Sequence, residues 1–126
     1  MRKILFVDDE IDIADSVKQG LELQGLLVDS FSDPQKALEH FKPGTYEVAV
    51  LDIKMPKMNG FQLYREIIRR DDNTKVIFIT AFDDVREEFG SAFPEAEAQR
   101  FLRKPFSITK LKERVLQRAG KAEVSA

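Results

Sequence analysis

Asp8, Asp9 and Glu10 stand together directly after the apolar run Ile4-Leu5-Phe6-Val7. Two carboxylates about 4 Å apart repel by roughly 4 kcal/mol at an effective dielectric near 20, so neighbouring acids call for something positive between them. Three more polar residues follow apolar runs in the same way. Asp52 comes after Val48-Ala49-Val50-Leu51, Thr80 ends the run that starts at Val76, and Lys104 lies just past Arg100-Phe101-Leu102. Carboxylates at 8, 9 and 52 beside the ammonium of Lys104 suit a hard divalent cation that takes oxygen ligands and keeps several waters, which describes Mg²⁺ better than zinc. A phosphoryl group completes such a site. Lys104 supplies a point charge to its oxygens, Thr80 a hydroxyl donor, and Asp52 is a nucleophile able to form an acyl phosphate.

That chemistry requires a fold that gathers the four segments. The apolar runs Lys3–Val7, Leu26–Phe31, Val48–Leu51, Val76–Thr80 and Arg100–Leu102 are short enough for strands, and a stretch with helical spacing follows each. Ile13, Val17 and Leu21 recur on one helical face, with Gly20 weakening that helix and Gly25 capping its end. Ser32-Asp33-Pro34 starts a second helix that stops by Lys42-Pro43-Gly44. A third runs from about Gly60 to Arg70. A fourth carries Phe82, Val85, Phe89 and Phe93, and a fifth follows a Ser107 cap. Five strands alternating with five helices imply parallel pairing through right-handed crossovers. The expected fold is a doubly wound, flavodoxin-like α/β sandwich, its five-stranded parallel sheet in the order 2-1-3-4-5, which binds ligands beyond the carboxyl ends of the first and third strands. All of the polar residues above fall on that rim.

The 126 residues are expected to form one domain over 1–120, with a short polar tail at 121–126. A content of 43% hydrophobic and 33% charged residues is that of a globular protein, and no apolar run approaches the roughly 18 residues of a membrane span. Met1 to Lys3 leads straight into a strand, so no signal peptide is expected. The absence of cysteine excludes disulfides and thiolate metal sites and fits a cytoplasmic location. A net charge of −2 lacks the basic footprint of phosphate neutralisation, so no direct contact with nucleic acid is expected, nor with a membrane.

The pair Asp8-Asp9, the segment Asp52-Ile53-Lys54-Met55-Pro56 leading to Gly60, the pair Thr80-Ala81 and the pair Lys104-Pro105 together resemble the response-regulator receiver domains of two-component signalling, over about Arg2 to Arg118. The resemblance implies that Asp52 accepts phosphate from a phosphohistidine on a sensor histidine kinase or a histidine phosphotransfer protein. It implies that Asp9, Asp52 and the backbone carbonyl of Lys54 hold Mg²⁺, with Asp8 mostly acting through water. Lys104 and Thr80 would contact the phosphoryl oxygens, and the bond before Pro105 is usually cis in this family. It also implies that Thr80 moves toward the phosphoryl group while Phe101 turns inward behind it. Ala81 leaves room beside the acceptor, and Lys54 is expected to tune acyl-phosphate lifetime. Such a protein is a signalling phosphoacceptor that catalyses only its own phosphorylation and dephosphorylation. No effector segment is expected beyond Ala126, so output is expected through a downstream protein partner.

Each residue also has an ordinary reading. Asp8 and Asp9 fit a helix cap, Asp52 a turn acid, Thr80 a β-branched strand residue and Lys104 a surface lysine. Only their joint placement at strand ends argues otherwise. His40 reads as a surface residue, and Phe82, Phe89 and Phe93 as core. The main alternative is a receiver-like module that binds partners independently of phosphorylation. An aspartate-nucleophile phosphatase is less suited, because such enzymes place a second acid two residues after the nucleophile, where this chain has Lys54. Neither GxGxxG nor GxxxxGK[ST] occurs, so nucleotide binding has no motif.

Overall fold

The computed structural model describes residues 3–80 and 100–120. In chain order these form β1 (Lys3–Val7), α1 (Ile11–Leu23), β2 (Val28–Phe31), α2 (Pro34–His40), β3 (Tyr46–Asp52), α3 (Gly60–Arg70), β4 (Lys75–Thr80), β5 (Phe101–Arg103) and α4 (Ile108–Arg118). The strands make one parallel sheet in the order β2-β1-β3-β4-β5. Four helices lie among the described residues. The further helix expected over Phe82 to Phe93 lies outside them, as does Ala81.

Alternation along β1 shows why the strands read as nearly unbroken apolar runs. Ile4 and Phe6 face one way, into a core shared with Ala14, Val17 and Leu21 of α1 and Leu111 and Val115 of α4. Leu5 and Val7 face the other way, into a core with Ala37 of α2 and Leu63 and Ile67 of α3. Both faces of the sheet are covered, so neither can be polar.

Helix ends follow their local chemistry. The Asp33 side chain accepts from the Gln35 amide, with Pro34 in the first turn of α2. Asn59 and Gln62 cap α3 reciprocally, and the Ser107 hydroxyl accepts from the Lys110 amide. At the end of α1, Gly25 sits at φ +90° while its amide bonds Glu22 O and the Leu26 amide bonds Leu21 O. This paired closure is the left-handed cap that glycine favours. It also moves the start of β2 from Leu26 to Val28, because the Leu26 amide is committed to the helix. Within α1, Gly20 has a packing reason. A Cβ there would lie 2.7 Å from Cγ1 of Ile108, so any side chain at position 20 requires Ile108 to shift.

Candidate functional site

Register brings the polar residues to one rim. Val7 pairs with Leu51, Asp52 with Ile79, and Thr80 with Arg103, so β1, β3, β4 and β5 end at nearly the same level. Asp8 follows β1, its amide donating to Phe31 O at 3.1 Å, and the Lys104 amide donates to Thr80 O at 2.9 Å. These main-chain bonds set the directions from which the side chains enter.

The side chains meet. Lys104 Nζ lies 3.1 Å from Asp8 Oδ2, 3.3 Å from Asp52 Oδ2 and 3.3 Å from Glu10 Oε1. One carboxylate oxygen from each of Asp8, Asp9 and Asp52 falls within a common span of 4.8 Å. Asp8 is fully buried and Asp52 is 6% exposed, while Asp9 is exposed. Asp8 Oδ1 accepts from the Glu10 amide at 2.9 Å. Its other oxygen is close enough to Lys104 for an ion pair yet accepts no aligned hydrogen bond. A buried carboxylate oxygen without a directed donor is costly, and it is the atom that a cation would satisfy.

The charges act on one another. Burial first, and then the neighbouring Asp8 carboxylate, push the Asp52 carboxyl up to about 7 against the opposing pull of Lys104. For Lys104, burial works against the charged form, but Asp8, Asp52 and Glu10 outweigh it and hold the ammonium above its ordinary range. The donor set fits Mg²⁺. All of the donors are hard oxygens, three carboxyl groups face one ammonium, and the oxygens stand close enough to share one ion.

Thr80 is buried at the end of β4. Because alternate residues share a face, it lies on the same side of the sheet as Phe78. Phe78 pairs in register with Phe101, their rings 5.4 Å apart. Phe101 is half-buried, and its carbonyl accepts from Arg114. The Lys104–Pro105 peptide is cis. Lys54 is exposed and follows Ile53, whose carbonyl accepts from the Gly60 amide at 2.9 Å. His40 is exposed at the end of α2, its ring 5.2 Å from that of Phe31. The contact that sequence reasoning missed is that of Glu10 with Lys104. Its signal was a glutamate at a cap position, where shorter polar residues are favoured.

With this geometry in view, residues 4–116 match the family described as response regulator receiver domain. The chain belongs to that family. It is 36% identical over 121 residues to the regulatory protein VanRB of Enterococcus faecalis, covering 94% of this chain and 54% of that protein. To the transcriptional regulatory protein CiaR of Streptococcus pneumoniae it is 33% identical over 124 residues, covering 96% of this chain and 54% of the other. Among solved structures, a response regulator receiver domain protein from Clostridium thermocellum superposes with a TM-score of 0.78 at 26% identity, covering 100% of both chains. The response regulator protein TrrA of Thermotoga maritima, in complex with Mg(2+)-BeF, gives 0.72 at 30% identity, covering 93% of this chain and 98% of that one.

The relatives correct one expectation. The chain spans about half the length of the curated relatives it matches, and several of these are named transcriptional regulatory proteins. The expectation of no direct contact with nucleic acid therefore does not stand. Its physical basis, the charge balance of 126 residues, describes only the segment with which the relatives align. For the same reason, the end of the sequence at Ala126 carries no argument about an effector segment. No helix among the described residues is long and apolar enough to cross a membrane.

Proposed function

We propose that this receiver domain is a cytoplasmic phosphoacceptor that takes a phosphoryl group from a phosphohistidine, on a sensor kinase or a phosphotransfer protein, onto Asp52. The observation that carries the reading is the position of the Lys104 ammonium, 3.3 Å from Asp52 and 3.1 Å from the buried Asp8, beside a three-carboxylate cluster. In the transfer, an Asp52 carboxylate oxygen attacks phosphorus and the P–N bond of the donor breaks. The bonding electron pair returns to the imidazole, which leaves neutral with its proton on the other ring nitrogen. Lys104 balances the charge of the transferred oxygens, and the Thr80 hydroxyl donates to one of them. Asp8, Asp9 and Asp52, with the Lys54 carbonyl, would hold Mg²⁺, which when bound supplies positive charge to the phosphoryl oxygens. The similarity to TrrA, solved with Mg(2+)-BeF, supports this assignment. Lys54 would tune how fast water reaches the acyl phosphate, a role supported by its exposure two residues after the acceptor.

Treatment with acetyl phosphate and Mg²⁺ is expected to add one phosphoryl group, located by peptide mass spectrometry at Asp52. Labelling elsewhere, or none, would remove the reading.

The response to phosphate is a shift between two populations, in proportion to its differential affinity for them. Thr80 and Phe101 share one sheet face, which supports their coupling as a switch. Thr80→Ala is expected to be phosphorylated yet to lose the conformational response. Identical amide NMR shift changes in wild type and variant upon beryllofluoride addition would refute that role.

A further inference from the structure

Glu10 gives up the task its position offers. It is the cap residue of α1, yet its side chain makes no capping hydrogen bond and reaches instead to Lys104, 94 residues away, at 3.3 Å. The three carboxylates that hold Lys104 are not equivalent. Those of Asp8 and Asp52 are 0% and 8% exposed, whereas that of Glu10 is 62% exposed. Asp8 and Asp52 belong to the oxygen cluster that suits a cation, and Glu10 does not.

We infer that Glu10 is a positioning residue, a counter-ion that competes with the phosphoryl oxygens for the Lys104 ammonium and so sets how readily Asp52 becomes phosphorylated. The inference rests on the proposed phosphoacceptor role of Asp52. Before phosphorylation, Lys104 divides its charge among three carboxylates. The bond formed at Asp52 adds oxygens that need the same ammonium, and the Lys104–Glu10 contact must weaken for the ammonium to serve them. Glu10 therefore stabilises the state before transfer more than the state after it. Its removal lowers the barrier without touching Asp52 or the cation ligands. Because the Glu10 side chain caps nothing and is largely exposed, its substitution leaves the fold intact.

The test is the phosphorylation rate at saturating Mg²⁺, with acetyl phosphate and with the less negatively charged phosphoramidate, for wild type, Glu10→Gln and Glu10→Asp. Glu10→Gln is expected to react about two- to fivefold faster with both donors, the range spanned by an ion pair with one exposed partner. Glu10→Asp keeps the charge but is one methylene shorter, and it is expected to follow Glu10→Gln. Acceleration with acetyl phosphate alone would mean that Glu10 merely repels anionic donors, and would overturn the inference. So would a Glu10→Asp variant that matches wild type, or unchanged rates in Glu10→Gln. If wild type itself takes no phosphate on Asp52, the phosphoacceptor reading fails first, and the two failures are told apart by that control.

Discussion

Without Mg²⁺ the folded domain is expected to be more stable near pH 5 than near pH 7.5, and Mg²⁺ is expected to reverse that order. The Asp52 carboxyl is pushed from its ordinary range up to about 7, first by burial and then by Asp8. Between those values the folded chain holds a proton that the unfolded chain has released. Stability changes with pH in proportion to the protons bound in the unfolded state minus those in the folded state, so it falls as pH rises through this window. Above about pH 7 most of the folded protein carries the ionised, crowded carboxylate. Cation binding needs that ionised form, so Mg²⁺ must displace a proton at pH 5 and need not at pH 7.5. The stabilisation by Mg²⁺, read as a rise in Tm, is therefore expected to grow across the same window. Asp52→Asn isolates the cause, since it removes the charge and nearly preserves the shape. In Mg²⁺-free buffer at pH 7.5 it is expected to raise Tm by about 5 °C, the shift that roughly 1 kcal/mol produces in a domain of this size. The same substitution is expected to flatten the dependence on pH. Thermal unfolding of both proteins across pH 5 to about 8, with and without Mg²⁺, checks each part. A wild type whose Tm rises steadily with pH in the absence of Mg²⁺ would mean that Asp52 does not bear the strain assigned to it.

The sheet was legible because its strands are buried on both faces. Val48-Ala49-Val50-Leu51 has no alternation to confuse with a surface strand, and the acids follow such runs directly. The rim was legible for the same reason, since a parallel sheet in this order leaves few places for the residue after each strand. Boundaries were less so. Tyr46 and Glu47 extend β3 because Tyr46 pairs with Lys3, a partner that no local pattern announces. Leu26 reads as strand by composition, but its amide closes α1. The contact of Glu10 with Lys104 joins residues 94 apart and depends on where two loops end. Gly20 reads as a weak point of its helix, and only the packing of α1 on Ile108 gives it a purpose. Output proved least legible. A charge balance taken over 126 residues describes this domain alone, whereas the named regulators it resembles are about twice as long.

Gly60 should be the least replaceable residue outside the charged cluster. It opens α3 behind the Asn59 cap, and its amide donates to Ile53 O at 2.9 Å. A Cβ added there would lie 2.5 Å from the carbonyl oxygen of Asp52, 3.0 Å from Cα of Ile53 and 3.1 Å from the carbonyl carbon of Asp52. All three are backbone atoms, which cannot turn aside as a side chain can. The first turn of α3 therefore rests directly on the main chain of the acceptor, and any side chain at position 60 pushes on the residue that must stay in register with Asp8 and Lys104. Gly60→Ala is expected to cost about 1–3 kcal/mol, the range for overpacking a tight interior, and to slow phosphorylation of Asp52 through its displaced carboxylate. Gly20→Ala is the informative control. The atoms nearest its Cβ would all belong to the Ile108 side chain, the first at 2.7 Å, and the alanine gains about 1 kcal/mol of helix propensity in return. Urea unfolding and acetyl phosphate labelling of both variants separate the cases. Gly60→Ala should lose stability and rate together, whereas Gly20→Ala should keep its rate whatever its stability. A Gly60→Ala protein with wild-type stability and labelling would show that α3 can move away from β3 without disturbing the acceptor.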